Sequence, residues 1–114
     1  MTIYEFGDVL LVPFPYTNQT TTKKRPAVVI SSKSYNQIRP DIILLAITSK
    51  VKQEPIFGDV SIVQWKESGL PLASVIKPVI STFEKNLVIK KLGRLHTDDL
   101  RSLQVMLGKI IDFE

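Results

Sequence analysis

Short apolar runs, each bounded by proline or by a polar stretch, constrain the fold of this chain more than any other feature. The longest purely apolar run covers residues 42–47, whereas a membrane-spanning helix needs ~20 such residues. The runs are rich in valine and isoleucine, which favour strands. A chain of 114 residues with this pattern is predicted to form one domain, residues 1–114, built mainly from short strands.

The apolar runs predict five to seven strands with long polar loops between them. The strands are predicted at residues 9–12, 26–30, 41–48, 59–65, 74–77, 79–82 and 88–92. The loops are predicted at residues 16–24, 31–40 and 50–57. Pro13 and Pro15 are expected to end the first strand, because proline cannot donate to a sheet ladder. Pro78 separates two apolar runs and predicts a bend or a bulge.

Near the end of the sequence the apolar residues recur at the spacing of a helix and not of a strand. Thr97 can cap a helix, and Asp98 and Asp99 follow in the first turn, where the helix dipole favours acidic residues. Apolar residues then recur at helical spacing, at Leu100, Leu103, Leu107, Ile110 and Ile111. The chain is therefore predicted to be mainly β, a small and strongly bent β-barrel with one C-terminal α-helix packed on it.

Positive charge is concentrated in one part of the chain. The net charge is +4, but residues 20–52 hold seven basic residues against one acidic residue, a balance of +6. Such a segment is either a solvated basic face or a surface for a polyanion such as nucleic acid. The first residues lack the basic and apolar pattern of a secretory signal. Because cysteine is missing as well, the sequence indicates a cytoplasmic protein without a membrane segment.

The residue inventory excludes several kinds of active site. With no cysteine and with His96 as its only histidine, the chain cannot form a cysteine nucleophile, a Cys/His zinc site or a two-histidine ribonuclease centre. Glycine-rich nucleotide-binding motifs are missing too. No cofactor and no metal site are therefore predicted, and Asp98 and Asp99 are interpreted as helix-start residues.

After these exclusions, the remaining candidates for a functional site are side chains near strand ends that can bind a phosphate. Arg25, next to Lys23 and Lys24, offers the planar fork of donors that suits a phosphate. Thr48 and Ser49 end the most apolar strand, and their hydroxyls can hydrogen-bond a phosphate or a sugar. Taken alone, either group could equally be structural, as a strand-end cation or a strand cap.

Several motifs, in order along nearly the whole chain, resemble those of the MazF/PemK toxin family. The two most specific are Arg-Pro-Ala-Val-Val-Ile-Ser at residues 25–31 and Ile-Thr-Ser at residues 47–49. Shorter matches are Gly-Asp-Val at 7–9, Ser-Val-Ile-Lys at 74–77 and Leu-Gly-Arg-Leu at 92–95.

The resemblance implies an SH3-like barrel with a C-terminal helix, usually as a homodimer. It implies a metal-independent endoribonuclease that cuts single-stranded RNA, with Arg25 and Thr48 as the catalytic pair. It also implies a cognate antitoxin whose tail lies along the RNA groove, and binding of operator DNA only through the antitoxin complex. Apolar residues of the strand at 42–47 and of the C-terminal helix are candidate contributors to the dimer interface, although core packing is their default role.

The chemistry of Arg25 and Thr48 fits cleavage by attack of the 2′-hydroxyl of the RNA. Arg25 can stabilise the extra negative charge on the phosphoryl oxygens, and Thr48 can orient a non-bridging oxygen. Arg25 is too basic to act as a general base, so the base is left unassigned. Further RNA contacts are predicted at Lys24, Ser49, Lys50, Lys77 and Thr82.

The chain departs from the family pattern in two places. The loop before Arg25 has no carboxylate, and Thr20 stands near the position of an acid that many members carry. Val79 and Ser81 stand where members often carry glutamine and arginine. These differences indicate a divergent PemK-like branch. Two other functions stay open, a binding protein that has lost catalysis and a gyrase-directed toxin on the same barrel.

Overall fold

Antiparallel strands form one curled sheet in the computed structural model, which describes residues 3–15, 22–49 and 54–113. The strands of these ranges are β1 (Asp8–Pro15), β2 (Thr22–Val29), β3 (Asp41–Thr48), β4 (Val60–Ile62), β5 (Ser74–Glu84) and β6 (Lys90–Arg94). Their order across the sheet is β4-β5-β3-β2-β1-β6. The helices described are α1 (Lys33–Ile38), α2 (Thr97–Ile110) and a 3₁₀ turn at Lys85–Leu87. The predicted mainly β fold with a C-terminal helix is confirmed.

Strand β3 is buried on both faces of the sheet, as its continuous apolar sequence predicts. Leu45 and Ile47 belong to a cluster that also contains Leu103 of α2. Ile42 and Leu44 belong to a second cluster on the other face. None of these four β3 side chains is more than 2% exposed. The default expectation of core packing is therefore confirmed for these four side chains, which are not exposed to a second chain.

Strand β5 is one continuous strand, where the sequence predicts two. The predicted irregularity at Pro78 is confirmed, because the register with β3 shifts there. Leu45 pairs with Ile80 and Ile47 pairs with Ile76, so that three residues of β5 oppose one residue of β3. Proline is tolerated at a bulge because the ladder is interrupted at that point.

Helix α2 begins at Thr97, one residue before the predicted start, and Asp98 and Asp99 occupy its first turn as predicted. The N-cap position is His96 instead of the predicted Thr97. Asp99 is 2% exposed, and its carboxylate accepts hydrogen bonds from the backbone N–H groups of Val63 (3.0 Å) and Gln64 (2.9 Å). The same side chain thus complements the helix dipole and ties α2 to the segment that follows β4.

Helix α1 lies where the sequence predicts a polar loop, so the prediction of a single helix is wrong. It has no apolar stripe, and its buried side chain is the polar Asn36. The Asn36 amide donates to the backbone carbonyl of Tyr4 at 2.8 Å, and the Ser32 hydroxyl accepts from the N–H of Tyr35 at the helix start. Polar contacts hold this helix in place. Such contacts do not require apolar residues at helical spacing, so the sequence contains no pattern that predicts the helix.

The first hairpin is longer than predicted. β1 continues through Pro13 and Pro15, and β2 starts at Thr22, inside the predicted loop. The ladder between β1 and β6 ends at Leu11, so among the strands that the structure describes none pairs with that side of β1 beyond Leu11. Pro13 and Pro15 are two positions apart, so their backbone nitrogens, which carry no hydrogen, face the same side of the strand. Proline is tolerated where that side does not take part in a ladder.

Two other strand boundaries differ from the prediction. β4 is limited to Val60–Ile62 and is followed by turns, although the alternating pattern predicts a strand over residues 59–65. β6 covers Lys90–Arg94 and begins after the 3₁₀ turn, two residues later than the predicted strand at residues 88–92.

Candidate functional site

An open cavity of about 450 Å³ lies where the start of β2 meets the end of β3. Its walls come from β1, β2, β3 and β6 and from the segment that leads into β5. The described residues that line it are Leu11, Lys23, Lys24, Arg25, Pro26, Ile47, Thr48, Ser49, Pro71, Leu72, Ser74, Lys90 and Leu92. The fold therefore brings together four residues that the sequence singles out, namely Lys24, Arg25, Thr48 and Ser49.

Arg25 and Thr48 lie on adjacent strands of the sheet and line the same cavity. The ladder between β2 and β3 ends at the pair Ala27 and Ala46, and Arg25 and Thr48 each lie two residues beyond that pair on their strands. Both side chains are half-buried. A guanidinium and a hydroxyl on the wall of one cavity can bind the same phosphate group.

The cavity combines positive charge with apolar walls. Lys23, Lys24, Arg25 and Lys90 contribute four cationic groups. Of the described residues that line the cavity, none is acidic. The remaining lining is mostly aliphatic or proline. An anion that carries a flat apolar body, such as a nucleotide, matches this combination.

Ion pairing differs sharply between neighbouring lysines of β6. Lys91 Nζ lies 3.3 Å from the buried Asp8 Oδ1, and Arg94 Nη1 lies 3.2 Å from the same oxygen. Lys90 makes no ion pair or side-chain hydrogen bond within residues 3–15, 22–49 and 54–113, and the same holds for Lys24. Lys90 and Lys24 are therefore the cavity cations most available to an anionic ligand.

A close backbone contact fixes one wall of the cavity. Gly69 has φ +85°, and a Cβ atom at that residue would overlap the carbonyl oxygen of Leu92. A Cβ atom on Gly93 would likewise overlap the carbonyl oxygen of Ser68. Only glycine permits two backbones to come this close. The backbone of the turn at residues 68–69 therefore packs directly against the backbone of β6, next to Leu92, which lines the cavity.

Lys77 and Thr82, two of the predicted RNA-binding residues, do not line the cavity. Both lie on β5. The Lys77 ammonium donates to Asp59 Oδ2 at 2.9 Å, and Thr82 pairs with Ile43 of β3 at an exposed position. Their role in RNA binding stays a prediction. Lys50 and Thr20 lie outside the described residues.

The pKa of Asp59 is lowered by its contacts. Burial, the largest single influence, raises the pKa of this carboxyl. The hydrogen bond from Lys77, the bond from the backbone N–H of Ile56 and the charge of Lys77 together outweigh burial and lower it. Asp59 is therefore an ionised structural partner of Lys77.

The basic segment of the sequence is divided in the structure. Lys23, Lys24 and Arg25 reach the cavity. Lys33 begins α1, and Arg39 pairs with Asp41 at 3.2 Å just beyond that helix. In the part of the chain that the structure describes, the basic residues of the segment 20–52 are thus divided between the cavity and the region of α1.

Lys90 and Leu72 are the cavity residues that sequence reasoning missed. Lys90 lies in a predicted strand, but no local pattern indicates that this strand pairs with β1 beside Leu11. Leu72 lies in a short irregular segment and is 57% exposed. The one available indication is its position just before a strand predicted to enter the core.

No group of three or more histidine, aspartate or glutamate side chains in the described ranges is arranged to hold a metal ion. His96 is exposed at the start of α2. Neither described helix is long and apolar enough to cross a lipid bilayer.

Residues 5–111 match a family described as the PemK-like, MazF-like toxin of type II toxin–antitoxin systems. This match covers almost the whole chain and all elements that build the cavity. No curated protein sequence is similar enough to count as a relative.

Solved structures of toxins share the fold. A MazE–MazF complex from Deinococcus radiodurans is 19% identical, covers 100% of both chains and has a TM-score of 0.77. An endoribonuclease in complex with its cognate antitoxin from a mycobacterial species is 16% identical, with 96% of this chain and 93% of that chain covered and a TM-score of 0.73. The Mycobacterium tuberculosis toxin MazF-mt6 is 15% identical, with 92% and 98% covered and a TM-score of 0.70.

Proposed function

The chain belongs to the PemK-like, MazF-like family of toxins of type II toxin–antitoxin systems, and we propose that it is an endoribonuclease that cuts single-stranded RNA. The observation that carries this proposal is the position of Arg25 and Thr48. They come from adjacent strands and line one cavity whose described walls are cationic and contain no acid. Two of the similar solved structures are described as endoribonucleases.

The proposed reaction uses the RNA itself as the nucleophile. The 2′-oxygen attacks the neighbouring phosphorus and loses its proton, the bond from phosphorus to the 5′-oxygen breaks, and the 5′-oxygen gains a proton. The products are a 2′,3′-cyclic phosphate and a 5′-hydroxyl. Negative charge grows on the non-bridging oxygens in the transition state, and a fixed guanidinium at Arg25 stabilises it. Thr48 orients one of these oxygens by a hydrogen bond.

The reaction does not assign a general base. Arg25 supplies positive charge and hydrogen-bond donors but no acceptor, so it is not proposed as the base. Lys24 and Ser49 lie on the cavity wall beside the proposed pair and are proposed as contacts to the RNA backbone. Lys77 and Thr82, which lie on β5 outside the cavity, are proposed as more distant contacts along the RNA, and Lys50 is proposed as a further contact to the RNA backbone.

Three partners follow from the family and are part of the proposal. The toxin forms a homodimer, a cognate antitoxin neutralises it, and operator DNA is bound only through the antitoxin complex. Complexes of MazE with MazF and of an endoribonuclease with its antitoxin are among the similar structures, which supports the antitoxin. The proposed site of action is the cytoplasm, where messenger RNA is available.

The second candidate function is a toxin-like protein that binds nucleic acid or antitoxin without cutting RNA. The loop before β2 lacks a carboxylate in this sequence, and this observation favours that candidate. A gyrase-directed toxin is the third candidate, and the presence of Arg25 and Thr48 in one cavity argues against it.

One experiment separates these functions. Purified protein is incubated with a long single-stranded RNA in EDTA, and the ends of the fragments are mapped. Specific cuts that leave a 5′-hydroxyl support the endoribonuclease. RNA that is bound but stays intact supports the binding protein, and inhibition of supercoiling by purified gyrase supports the gyrase-directed toxin.

A further inference from the structure

We propose that Lys90 and Leu72 form a nucleotide-binding subsite beside the Arg25–Thr48 pair, with Lys90 on a phosphate and Leu72 on a base. Neither residue is among those predicted from the sequence. The inference rests on the proposed function, because it assigns the position of the RNA in the same cavity.

The position of Lys90 relative to the proposed reaction centre supports a contact with a neighbouring phosphate. Leu11 of β1 pairs with Pro26 on one side and with Lys90 on the other. Lys90 therefore lies two inter-strand spacings, ~10 Å, from Pro26 and on the same face of the sheet, whereas Arg25 faces the other side because successive strand residues alternate. Lys90 and Arg25 line one cavity from different faces, so they are suited to different phosphates of the RNA.

The charge environment of Lys90 supports the same role. Its neighbour Lys91 is bound to the buried Asp8 at 3.3 Å, and Asp59 holds Lys77 at 2.9 Å. Lys90 is exposed and has no such partner among the described residues. A lysine without a carboxylate at the edge of a cationic cavity gains most from an external anion.

Leu72 supplies an apolar surface at the rim of that cavity. It is 57% exposed, and Pro71 and Leu92 also line the same cavity. A volume of about 450 Å³ leaves room for one nucleotide whose base lies on this rim. Unstacked bases bind to apolar side chains through their flat faces with little sequence preference.

The test measures binding and cleavage with separate substrates. Binding is followed by fluorescence anisotropy, as a function of salt, on an RNA oligonucleotide whose 2′-hydroxyl is replaced by hydrogen at the cut position. Cleavage is followed on the unmodified RNA to obtain kcat and KM. The variants are Lys90→Ala and Leu72→Ala, with Lys109→Ala as the matched control on the exposed last turn of α2.

Lys90→Ala is expected to weaken binding and to reduce the slope of log affinity against log salt by about 0.7, the value for one phosphate contact on a single strand. Leu72→Ala is expected to weaken binding roughly three- to tenfold, which is less than the loss of an aromatic platform, and to leave the slope unchanged. Leu72→Phe is expected to bind at least as tightly as the wild type. For Lys90→Ala and Leu72→Ala, KM is expected to rise and kcat to stay within about twofold, because uniform binding is lost.

The outcomes separate the subsite from the proposed function. If the wild type cuts RNA and Lys90→Ala has the salt slope of Lys109→Ala, the phosphate assignment is overturned and the proposed function stands. Weaker binding of Leu72→Phe than of Leu72→Ala overturns the base assignment. A wild type that binds RNA with the predicted variant effects but never cuts it supports the subsite and overturns the endoribonuclease. A wild type that does not bind RNA overturns both.

Discussion

The ammonium group of Lys77 donates to Asp59 Oδ2 at 2.9 Å, and this pair joins β5 to the segment before β4. The Asp59 side chain is 4% exposed and that of Lys77 is 38% exposed. Asp59 Oδ2 also accepts the backbone N–H of Ile56 at 3.1 Å. A lysine that the sequence assigns to RNA therefore already stabilises a buried carboxylate.

Asp59→Asn is expected to lower the free energy of unfolding at neutral pH by about 1–2 kcal/mol, since it removes the charged partner of Lys77. The pKa of Asp59 is lowered in the folded state. Its contribution is therefore complete above the unfolded value of about 3.9 and is lost as the pH falls through the lower folded value. Thermal unfolding between neutral pH and about pH 3 measures this. Glu54→Gln, at an exposed position, is the control, and equal melting of Asp59→Asn and wild type at neutral pH contradicts the prediction.

Arg25→Ala is expected to reduce the cleavage rate by roughly 10²–10³-fold, the usual loss for one preorganised donor in a transition state. Arg25→Lys restores little, because an ammonium lacks the planar fork of the guanidinium. The rate is measured in single-turnover reactions on purified protein whose folding is checked by circular dichroism. Folded Arg25→Ala protein that cuts at the wild-type rate would defeat the catalytic assignment.

Thr48→Val keeps the shape of the side chain and removes the hydroxyl. The rate is expected to fall while the melting temperature changes little, because Thr48 is proposed to bind a phosphoryl oxygen. If Thr48 serves only to end β3, the melting temperature of the variant falls and the folded fraction keeps normal specific activity. Activity and melting curves on the same preparation decide between the two roles.

Cleavage is expected to survive chelation. The chain has one histidine and no cysteine, and the 2′-hydroxyl mechanism draws its charge stabilisation from Arg25. One fragment should carry a cyclic phosphate or a 3′-phosphate and the other a 5′-hydroxyl. DNA of the same sequence should bind without being cut. Activity that disappears in EDTA and returns with magnesium is incompatible with this mechanism.

The protein is expected to be a dimer at micromolar concentration. Light scattering should give about twice the chain mass of 12.9 kDa, as the family membership suggests. The buried residues of β3 do not take part, whereas α2 keeps Val105 54% exposed. A mass near that of one chain contradicts the proposed homodimer.

Local sequence patterns predicted the elements that bury apolar side chains. β3 has the predicted bounds. Its side chains pack into two hydrophobic clusters, one on each face of the sheet, and its apolar sequence is therefore unbroken and easy to recognise. The start of α2 is correct to within one residue, since two acids precede a helical apolar period. Helix α1 was not predictable in this way, because its buried residue is Asn36 and hydrogen bonds to distant groups hold it.

The candidate site was predictable only in part. The family motifs contain Arg25 and Thr48, and antiparallel pairing of two consecutive predicted strands brings their ends to one cavity. Lys90 depends on pairing between β1 and β6, which are far apart in the sequence. Lys77, at the end of a predicted strand, was predicted to contact RNA because nothing in the local sequence indicates its contact with Asp59, which forms only in the folded chain.

The contact between Gly69 and the Leu92 carbonyl has a consequence for how related toxins can diverge. Because the backbone of the turn rests on the backbone of β6, neither can shift to reshape the cavity without separating the two. If the proposed RNA binding holds, differences in affinity between such toxins are expected to arise from side chains on a fixed frame, with Leu72 and Lys90 exposed at its rim. Exchange of these two residues between relatives is expected to change RNA affinity and its salt dependence, whereas replacement of Gly69 or Gly93 by a larger residue is expected to destabilise the fold.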